Sequence, residues 1–500
     1  MICVSIGRTR HKHVIKEHQY LVEQGAELVE LRLDYIGRVV NLKRLIENRP
    51  CPVIVTCRRQ ADGGRWGGTE EARQTLLRTA IAEGVEYVDL EDDIADLIPR
   101  FGKTKRIVSR HDFSGTPKDL SEVHVQMQAR DADIVKLATM ANSPLDNLRM
   151  MKLVQESDVP TVGLCMGEMG TPSRILASRF GAPFTYATFH EERSLAPGQL
   201  SFKQMMKIYN YDQIDKDYEV FGVIADPVGH SYSPIIHNAA FKHLKMKRVY
   251  VPFRIPDADL SSWIKHCRSL GIRGLSVTIP HKESVIAKCS KVESVVRDIG
   301  AVNTMVFDDG GTVRGYNTDY RAAMDSLFAV MKIDGEKEDC LSGVKTLVLG
   351  AGGVSKAVAF GLAKKGADVV ISSRTKKRAM ELAKAVEGKA IEWDMRHHFQ
   401  PDILINGTPV GMHPKMDVSP WDERYLQKKM VIFDTIYNPE QTLLIKQARK
   451  AGCRVVTGVE MFIRQAALQF KYFTGEEAPT DLMRDTLKRM IGPAKYDEEE

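Results

Sequence analysis

The chain has 500 residues, 43% hydrophobic and 27% charged, with 71 basic and 65 acidic side chains and a net charge of +6, an ordinary composition for about three globular domains and too evenly mixed in sign to demand a nucleic-acid partner. Its eight cysteines are dispersed without a CxxC pair, several inside apolar runs such as CPVIVTC, and neither HKH at 11–13, HH at 397–398 nor FHEER near 190 has metal-ligand spacing; reduced core thiols and no metal are expected. No apolar run approaches ~18 residues and the chain opens into the strand-like MICVSIG, so no membrane span and no signal peptide are expected, and the default location is cytoplasmic.

From the start to about residue 190, eight short apolar segments alternate with helical stretches: ICVSI, LVELRL, VIVTC, EYVDLE, RIVSR, DIVKLA, PTVGLC and FTYATF. That alternation implies parallel βαβ units, and eight of them close a (β/α)8 TIM barrel, with a doubly wound open sheet as the alternative. In such a barrel, chemistry collects at the carboxyl ends of the strands. Glu30, Arg32, Arg58, Asp89, Glu91, His111, Lys136 and Arg174 all fall there. A polar passage at 201–220 then precedes the strand VFGVIA, which places a boundary near 215 and the first domain at 1–212. A second α/β lobe is expected over 219–325, rejoined by a C-terminal helix at 459–490. After the turn-rich MKIDGEKEDCLSG, a Rossmann-type lobe is expected over 326–458. The acidic tail DEEE reads as frayed.

Lys136 in DADIVKLATM sets an ammonium in the middle of an apolar strand, where an interior should reject it. An edge strand with the side chain reaching solvent is one reading. The other is a lysine whose amine is a reagent, which requires desolvation or neighbouring cations to favour its neutral form. Arg32, Arg58 and Arg174 end neighbouring strands or open the loops beyond them, and would surround the amine with cations fit for a carboxylate substrate. His111 is one strand over, placed to move a proton.

VELRLD, VTCR, SRHDF, DIVKLATM, MGEMGTPSRI and LAPGQL, in this order and spacing, resemble type I 3-dehydroquinate dehydratase over about residues 1–205. The resemblance implies a Schiff base between Lys136 and the ketone of 3-dehydroquinate, proton abstraction by His111, and a pocket completed by Glu30, Arg32, Arg58, Arg174 and Gln199. Two positions depart from the family pattern. The acidic residue after the CR pair is Asp62, and Leu195 stands where a serine is expected, with Ser194 one place earlier and left out of the site.

In LVLGAGGVSKAVAFGLAKKGADVVISSRT an apolar strand runs directly into Gly350, Gly352 and Gly353, then an alanine-rich helix and a second strand. Such glycines let backbone amides approach a pyrophosphate. After the second strand, where an NAD site wants a carboxylate, stand Ser373, Arg374 and Thr375 and then Lys376, Lys377 and Arg378. These suit the 2′-phosphate of NADP. Upstream, Ser231 and Ser233 could both bond a carboxylate, and Lys282 with Asp319 would handle the proton that hydride delivery to a ketone requires. DPVGHSYSP, LSVTIPHKE, GAVNT, GYNTD, INGTPVGM and TGVEMFIRQAALQF resemble shikimate dehydrogenase over about 220–490. That resemblance implies reduction of 3-dehydroshikimate by NADPH, Lys282 and Asp319 catalytic, substrate contacts from Ser231, Ser233, Thr278, Asn303 and Gln465, and Tyr437 lining the cleft.

The product implied for the first half is the substrate implied for the second, so one bifunctional chain acting on small molecules is expected, with no nucleic-acid or membrane partner; a homo-oligomer is compatible with the sequence. The alternatives are a quinate-catabolising pair, a non-catalytic regulator built from the same modules, and a Schiff-base aldolase barrel fused to another reductase. Retention of His111, Lys136, Lys282 and Asp319 argues against the regulator.

Overall fold

The computed structural model describes residues 1–190, 192 and 195–492. Ser194 and the DEEE tail lie outside the described residues. Every strand expected in the first 190 residues is present: β1 (Ile2–Ile6), β2 (Leu28–Arg32), β3 (Val53–Thr56), β4 (Tyr87–Glu91), β5 (Lys105–Asp112), β6 (Ile134–Met140), β7 (Thr161–Met166) and β8 (Thr185–Thr188). They form one parallel sheet in the order β7-β6-β5-β4-β3-β2-β1-β8, a near-closed barrel. A doubly wound sheet would reverse its order part-way; this one does not.

Alternation along the strands sorts the side chains. Cys3, Leu28, Ile54, Ile107, Ile134, Val162 and Phe184 form an apolar cluster from seven of the segments. Two residues further along the same faces come Ser5, Glu30, Thr56, Ser109, Lys136 and Tyr186, toward the carboxyl ends of the strands. The barrel is therefore closed by hydrocarbon below and polar above.

The chain divides into two compact units, Met1–Pro234 with Lys245–Ile272, and Ile235–Leu244 with Arg273–Glu500. The expected boundary near 215 falls inside the first unit. Beyond it, β9 (Glu219–Ala225) and β10 (Arg248–Arg254) pair in parallel. The barrel helix Leu145–Glu156 packs against the helix Asp257–His266, and Thr171–Ile175 packs against β10. Arg179 Nε donates to the Tyr218 carbonyl at 2.8 Å, and Ser143 Oγ to Asp259 Oδ1 at 3.1 Å.

The second unit holds β11 (Ile272–Val277) from Arg273 onward, with β12 (Lys291–Val292), β13 (Thr304–Phe307) and β14 (Val313–Tyr316), paired β11-β13-β14-β12. It also holds β15 (Lys345–Leu349), β16 (Asp368–Ser372), β17 (Lys389–Ile391), β18 (Ile403–Asn406), β19 (Val431–Asp434) and β20 (Arg454–Val456). These six are parallel in the order β17-β16-β15-β18-β19-β20, so the sheet changes direction between β15 and β18, where open α/β sheets bind ligands. The expected single helix at 459–490 is two, Gly458–Thr474 and Thr480–Ile491. Gly475 ends the first with φ +78°, and Pro479 opens the second. The first of these packs against the helix Thr318–Met331. Among the described residues no helix is long and apolar enough to cross a membrane.

Candidate active sites

Lys136 shares its strand face with Ile134 and Ala138, so its side chain enters the barrel, where it is only 5% exposed. Nζ donates to Asp89 Oδ2 at 2.9 Å, lies 3.7 Å from Glu30 Oε1, and sits 4.1 Å from the centroid of the Tyr186 ring. Two carboxylates and an aromatic face thus offset the loss of water. The cations expected around the amine stand one step away, because carboxylates take the contact positions. Arg58 donates to Asp89 Oδ1 at 2.7 Å, Glu91 Oε1 at 3.0 Å and Ser109 Oγ at 3.0 Å. Arg73, fully buried, takes the other oxygen of Glu91 at 2.6 Å. The result is a run of alternating charge, Arg73, Glu91, Arg58, Asp89, Lys136, Glu30.

Burial and neighbouring charge act together on Asp89, Glu30 and His111. Burial pushes the Asp89 carboxyl up, but Arg58 and Lys136 outweigh it and hold Asp89 well below the usual range. Glu30 is likewise lowered despite burial, by Lys136 and Arg32, and accepts from Ser5 Oγ at 2.6 Å and Thr56 Oγ1 at 2.8 Å. His111 is held well below its usual value by burial first and by Arg58 and Lys136 next. Its Nδ1 is buried and has no hydrogen-bond partner among the described residues. A neutral imidazole with a bare nitrogen is the form a general base requires.

The three arginines differ. Arg32 closes a bidentate pair with Asp34, at 2.9 and 2.8 Å, and Arg58 is held by Asp89 and Glu91 as above. Arg174 is 2% exposed, and among the described residues its guanidinium meets no carboxylate. Nη2 reaches only the Pro197 carbonyl at 3.4 Å, and Nε has no partner. Burial pushes it down to about 10. A buried guanidinium in this state is a place for an incoming anion. Gln199 Oε1 accepts from the amides of Leu195 and Ala196 at 2.9 and 3.2 Å, shaping the loop over the cavity. That cavity, about 60 Å³, is lined by Glu30, Arg32, Arg58, His111, Lys136, Arg174, Gln199 and both departing positions, Asp62 and Leu195. Asp62 is paired to Arg59 Nε at 2.7 Å.

In the second unit Lys282 Nζ meets Asp319 Oδ2 at 2.6 Å. Asp319 lies in the first turn of the helix Thr318–Met331, where a carboxylate is favoured by the helix dipole. Asn303 fixes that helix start: its Oδ1 accepts the Thr318 amide at 2.8 Å and its Nδ2 donates to Thr318 Oγ1 at 2.9 Å. Gln469, absent from the expected site, supports Asn303 from behind through its carbonyl at 3.2 Å. Gln465 Nε2 donates to the Phe462 carbonyl at 3.0 Å, and the Tyr437 and Phe462 rings lie 4.4 Å apart. Ser231 and Ser233 belong to the first unit, where Ser231 Oγ accepts the Ser233 amide at 3.4 Å.

A cleft of about 690 Å³ in the second unit is lined by Thr278, Lys282, Gly352, Gly353, Lys356 and Arg378, among others. Gly350 has φ +103°, and a Cβ there would meet the Gly407 carbonyl at 2.9 Å. Gly352 caps the helix Gly353–Lys364 with no side-chain cap, and a Cβ on it would point into open space. The amides at this helix start are therefore open to a phosphate group. The residues present fit a dinucleotide. Ser373, Arg374 and Thr375 follow β16, with Arg374 exposed.

The family model described as type I 3-dehydroquinase matches residues 2–216, and those described as shikimate dehydrogenase substrate binding domain, shikimate / quinate 5-dehydrogenase and shikimate 5′-dehydrogenase C-terminal domain match 223–305, 333–410 and 458–488. A bifunctional 3-dehydroquinate dehydratase/shikimate dehydrogenase, chloroplastic, from Arabidopsis thaliana is 37% identical over 503 residues, covering 96% of this chain and 83% of its own. The chain belongs to this bifunctional family. Its dehydrogenase half is 40% identical over 282 residues to a shikimate dehydrogenase (NADP(+)) of Methanothermobacter thermautotrophicus, covering 54% of this chain and 96% of that one. A crystal structure of a shikimate dehydrogenase in complex with NADP+ superposes with TM-score 0.52 at 36% identity, covering 56% of this chain and 98% of that chain. One from Aquifex aeolicus gives 0.51 at 31%, covering 55% and 100%.

In the dehydratase half, all seven residues expected in the site line one cavity. In the dehydrogenase half, Thr278, Lys282, Gly352 and Gly353 line the cleft, whereas Asp319, Asn303, Tyr437, Gln465, Gly350, Ser373, Arg374 and Thr375 are not among its lining residues and Arg378 is. Sequence reasoning noted Asp89 and Glu91 at a strand end without giving them a role, and missed Tyr186. The signal for Tyr186 was its place two residues beyond Phe184 on an inward face of β8.

Proposed function

We propose that Lys136 forms a Schiff base with 3-dehydroquinate and that Lys282 and Asp319 serve the reduction of 3-dehydroshikimate to shikimate with NADPH. The observation that supports the first half most is the presence, in one cavity, of a buried lysine and a buried arginine that meets no carboxylate among the described residues. Arg174 would take the substrate carboxylate, with Gln199, Glu30, Arg32 and Arg58 completing the pocket. Condensation of the Lys136 amine with the ketone releases water and leaves an imine. His111 then takes the α proton, and the electron pair moves into an enamine. The enamine expels the ring hydroxyl, which leaves as water with that proton, and hydrolysis of the imine frees Lys136. Asp89 would balance the charge that passes through the nitrogen.

In the dehydrogenase, NADPH supplies a hydride when bound. Gly350, Gly352 and Gly353 would cradle its pyrophosphate, and Ser373, Arg374 and Thr375 its 2′-phosphate. Lys282 would hold and deliver the proton to the carbonyl oxygen, with Asp319 keeping its amine aimed. Ser231, Ser233, Thr278, Asn303, Gln465 and Tyr437 would contact or frame the substrate. We place the junction of the halves in the passage 213–218. Eight unpaired cysteines fit a reducing compartment, and we infer a cytoplasmic one.

Borohydride added with 3-dehydroquinate or 3-dehydroshikimate should inactivate the dehydratase irreversibly, by reducing the imine to a secondary amine on the peptide bearing Lys136. Lys136→Met should abolish dehydratase activity and keep shikimate oxidation by NADP. Full turnover after borohydride, or a label elsewhere, would defeat the Schiff-base assignment.

A further inference from the structure

Glu168 lies in the loop after β7 that leads to Arg174, but it does not line the barrel cavity. Its Oε1 accepts the Gly229 amide at 3.1 Å and its Oε2 meets Arg254 Nη1 at 3.0 Å. Arg254, at the end of β10, spends Nε on Asp226 Oδ1 at 2.8 Å. Asp226 and Gly229 bracket the turn DPVG directly after β9, and Ser231 follows with its amide on the Val228 carbonyl at 3.0 Å. All these residues belong to the first unit. Two carboxylates and one guanidinium therefore grip both ends of a turn that has no strand partner of its own.

Glu168 is itself held firmly. The neighbouring Gly167 amide donates to the Pro197 carbonyl at 3.1 Å, and a Cβ on Gly198 would meet the Gly167 carbonyl oxygen at 2.3 Å. The two segments are in close backbone contact, so Glu168 stands on a fixed base. We infer that Glu168, a residue of the dehydratase barrel, is a positioning residue for the dehydrogenase, holding the 226–231 turn so that Ser231 is presented to the substrate. The inference rests on the reading of Ser231 as a substrate contact. It assigns to the barrel a part in the second reaction.

The test is steady-state shikimate oxidation by NADP with the full chain. Both partners of the clamp are more than a third exposed, so the effect should be moderate. Glu168→Ala should raise KM for shikimate about threefold to tenfold while kcat and the KM for NADP hold. Glu168→Gln, which keeps an acceptor for the Gly229 amide, should recover part of this, and Arg254→Ala should repeat the Glu168→Ala effect. Ser231→Ala is the companion measurement. If it raises KM and neither Glu168→Ala nor Arg254→Ala does, the clamp is idle and the inference falls alone. If Ser231→Ala leaves KM unchanged, the serine reading falls and takes the inference with it. Equal loss of kcat in both reactions, with a lowered Tm in Glu168→Gln, would mark Glu168 as structural only and overturn the proposal.

Discussion

Lys136 and Arg174 are both buried cations, and what surrounds them separates their tasks. Lys136 meets Asp89 and Glu30, so two carboxylates balance its charge inside the barrel. Among the described residues Arg174 meets only a carbonyl, which leaves its charge to be balanced by an incoming anion. Arg374 applies the same logic at the surface: it is exposed, while the neighbouring Lys376 is paired with Glu392 at 2.5 Å. A charge-assisted contact from Arg374 to a 2′-phosphate is worth ~1.5 kcal/mol at the low end suited to an exposed site, about a tenfold change. Arg374→Ala should therefore raise KM for NADPH about tenfold and leave KM for NADH nearly unchanged. Equal increases with both cofactors would assign the side chain to the fold instead.

At the scale of strands and helices, period-two alternation made the eight barrel segments legible, because most of them carry inward residues whose polarity changes from apolar to polar toward the carboxyl end, β7 with Val162 and Leu164 staying apolar. What the alternation does not contain is which strands adjoin and at what stagger. The ion pairs of Lys136 were therefore not legible, although both carboxylates were noted at strand ends: Asp89 comes from β4 and Glu30 from β2, 47 and 106 positions away in the chain. The break at Gly475 and Pro479 was written in the residues and passed over. Asp434, at the end of β19, shows a further cost hidden from sequence. It accepts from Asn406 Nδ2, the Ile436 amide and Thr442 Oγ1 at 3.1, 3.1 and 2.6 Å, yet burial pushes its carboxyl up to about 6. The folded value lies above the unfolded one of ~3.9, so its contribution to stability is complete below that value. It is lost as pH rises through about 6, a change of ~3 kcal/mol. Asp434→Asn keeps an acceptor for Asn406 and Ile436 and can donate to the Thr442 hydroxyl. The variant should match the parent in Tm near pH 4 and exceed it above pH 6. A Tm difference that stays constant with pH would show that this carboxyl does not titrate with folding.

On the scale of the whole chain, the expected boundary near 215 and the first compact unit, which runs on through β9 and β10, make opposite claims about a cut at 212. Among the described residues the barrel sheet takes no strand from beyond residue 212, and every residue proposed for the dehydratase lies between Glu30 and Gln199, so a fragment 1–212 should fold and keep its kcat within about twofold. The remaining chain is not equally served. A cut at 212 removes Arg179 from the Tyr218 carbonyl, Ser143 from Asp259 and Glu168 from Gly229 and Arg254, and it exposes the faces of the helix Asp257–His266 and of β10 that pack on the barrel. Each lost polar contact is partly exposed and costs ~0.5–1 kcal/mol, but several act on one element, and the exposed apolar area adds to them. The fragment 213–500 should therefore keep NADP binding, since its glycine cradle lies wholly within the second unit, while its KM for shikimate rises at least as much as in Glu168→Ala and its Tm falls below that of the corresponding transition in the intact chain. Adding the barrel fragment back in excess should lower that KM again, because the same contacts can form between separate chains. Parental shikimate kinetics and Tm in the fragment 213–500 would show instead that the chain parts cleanly at the passage and that the contacts beyond it hold nothing in place.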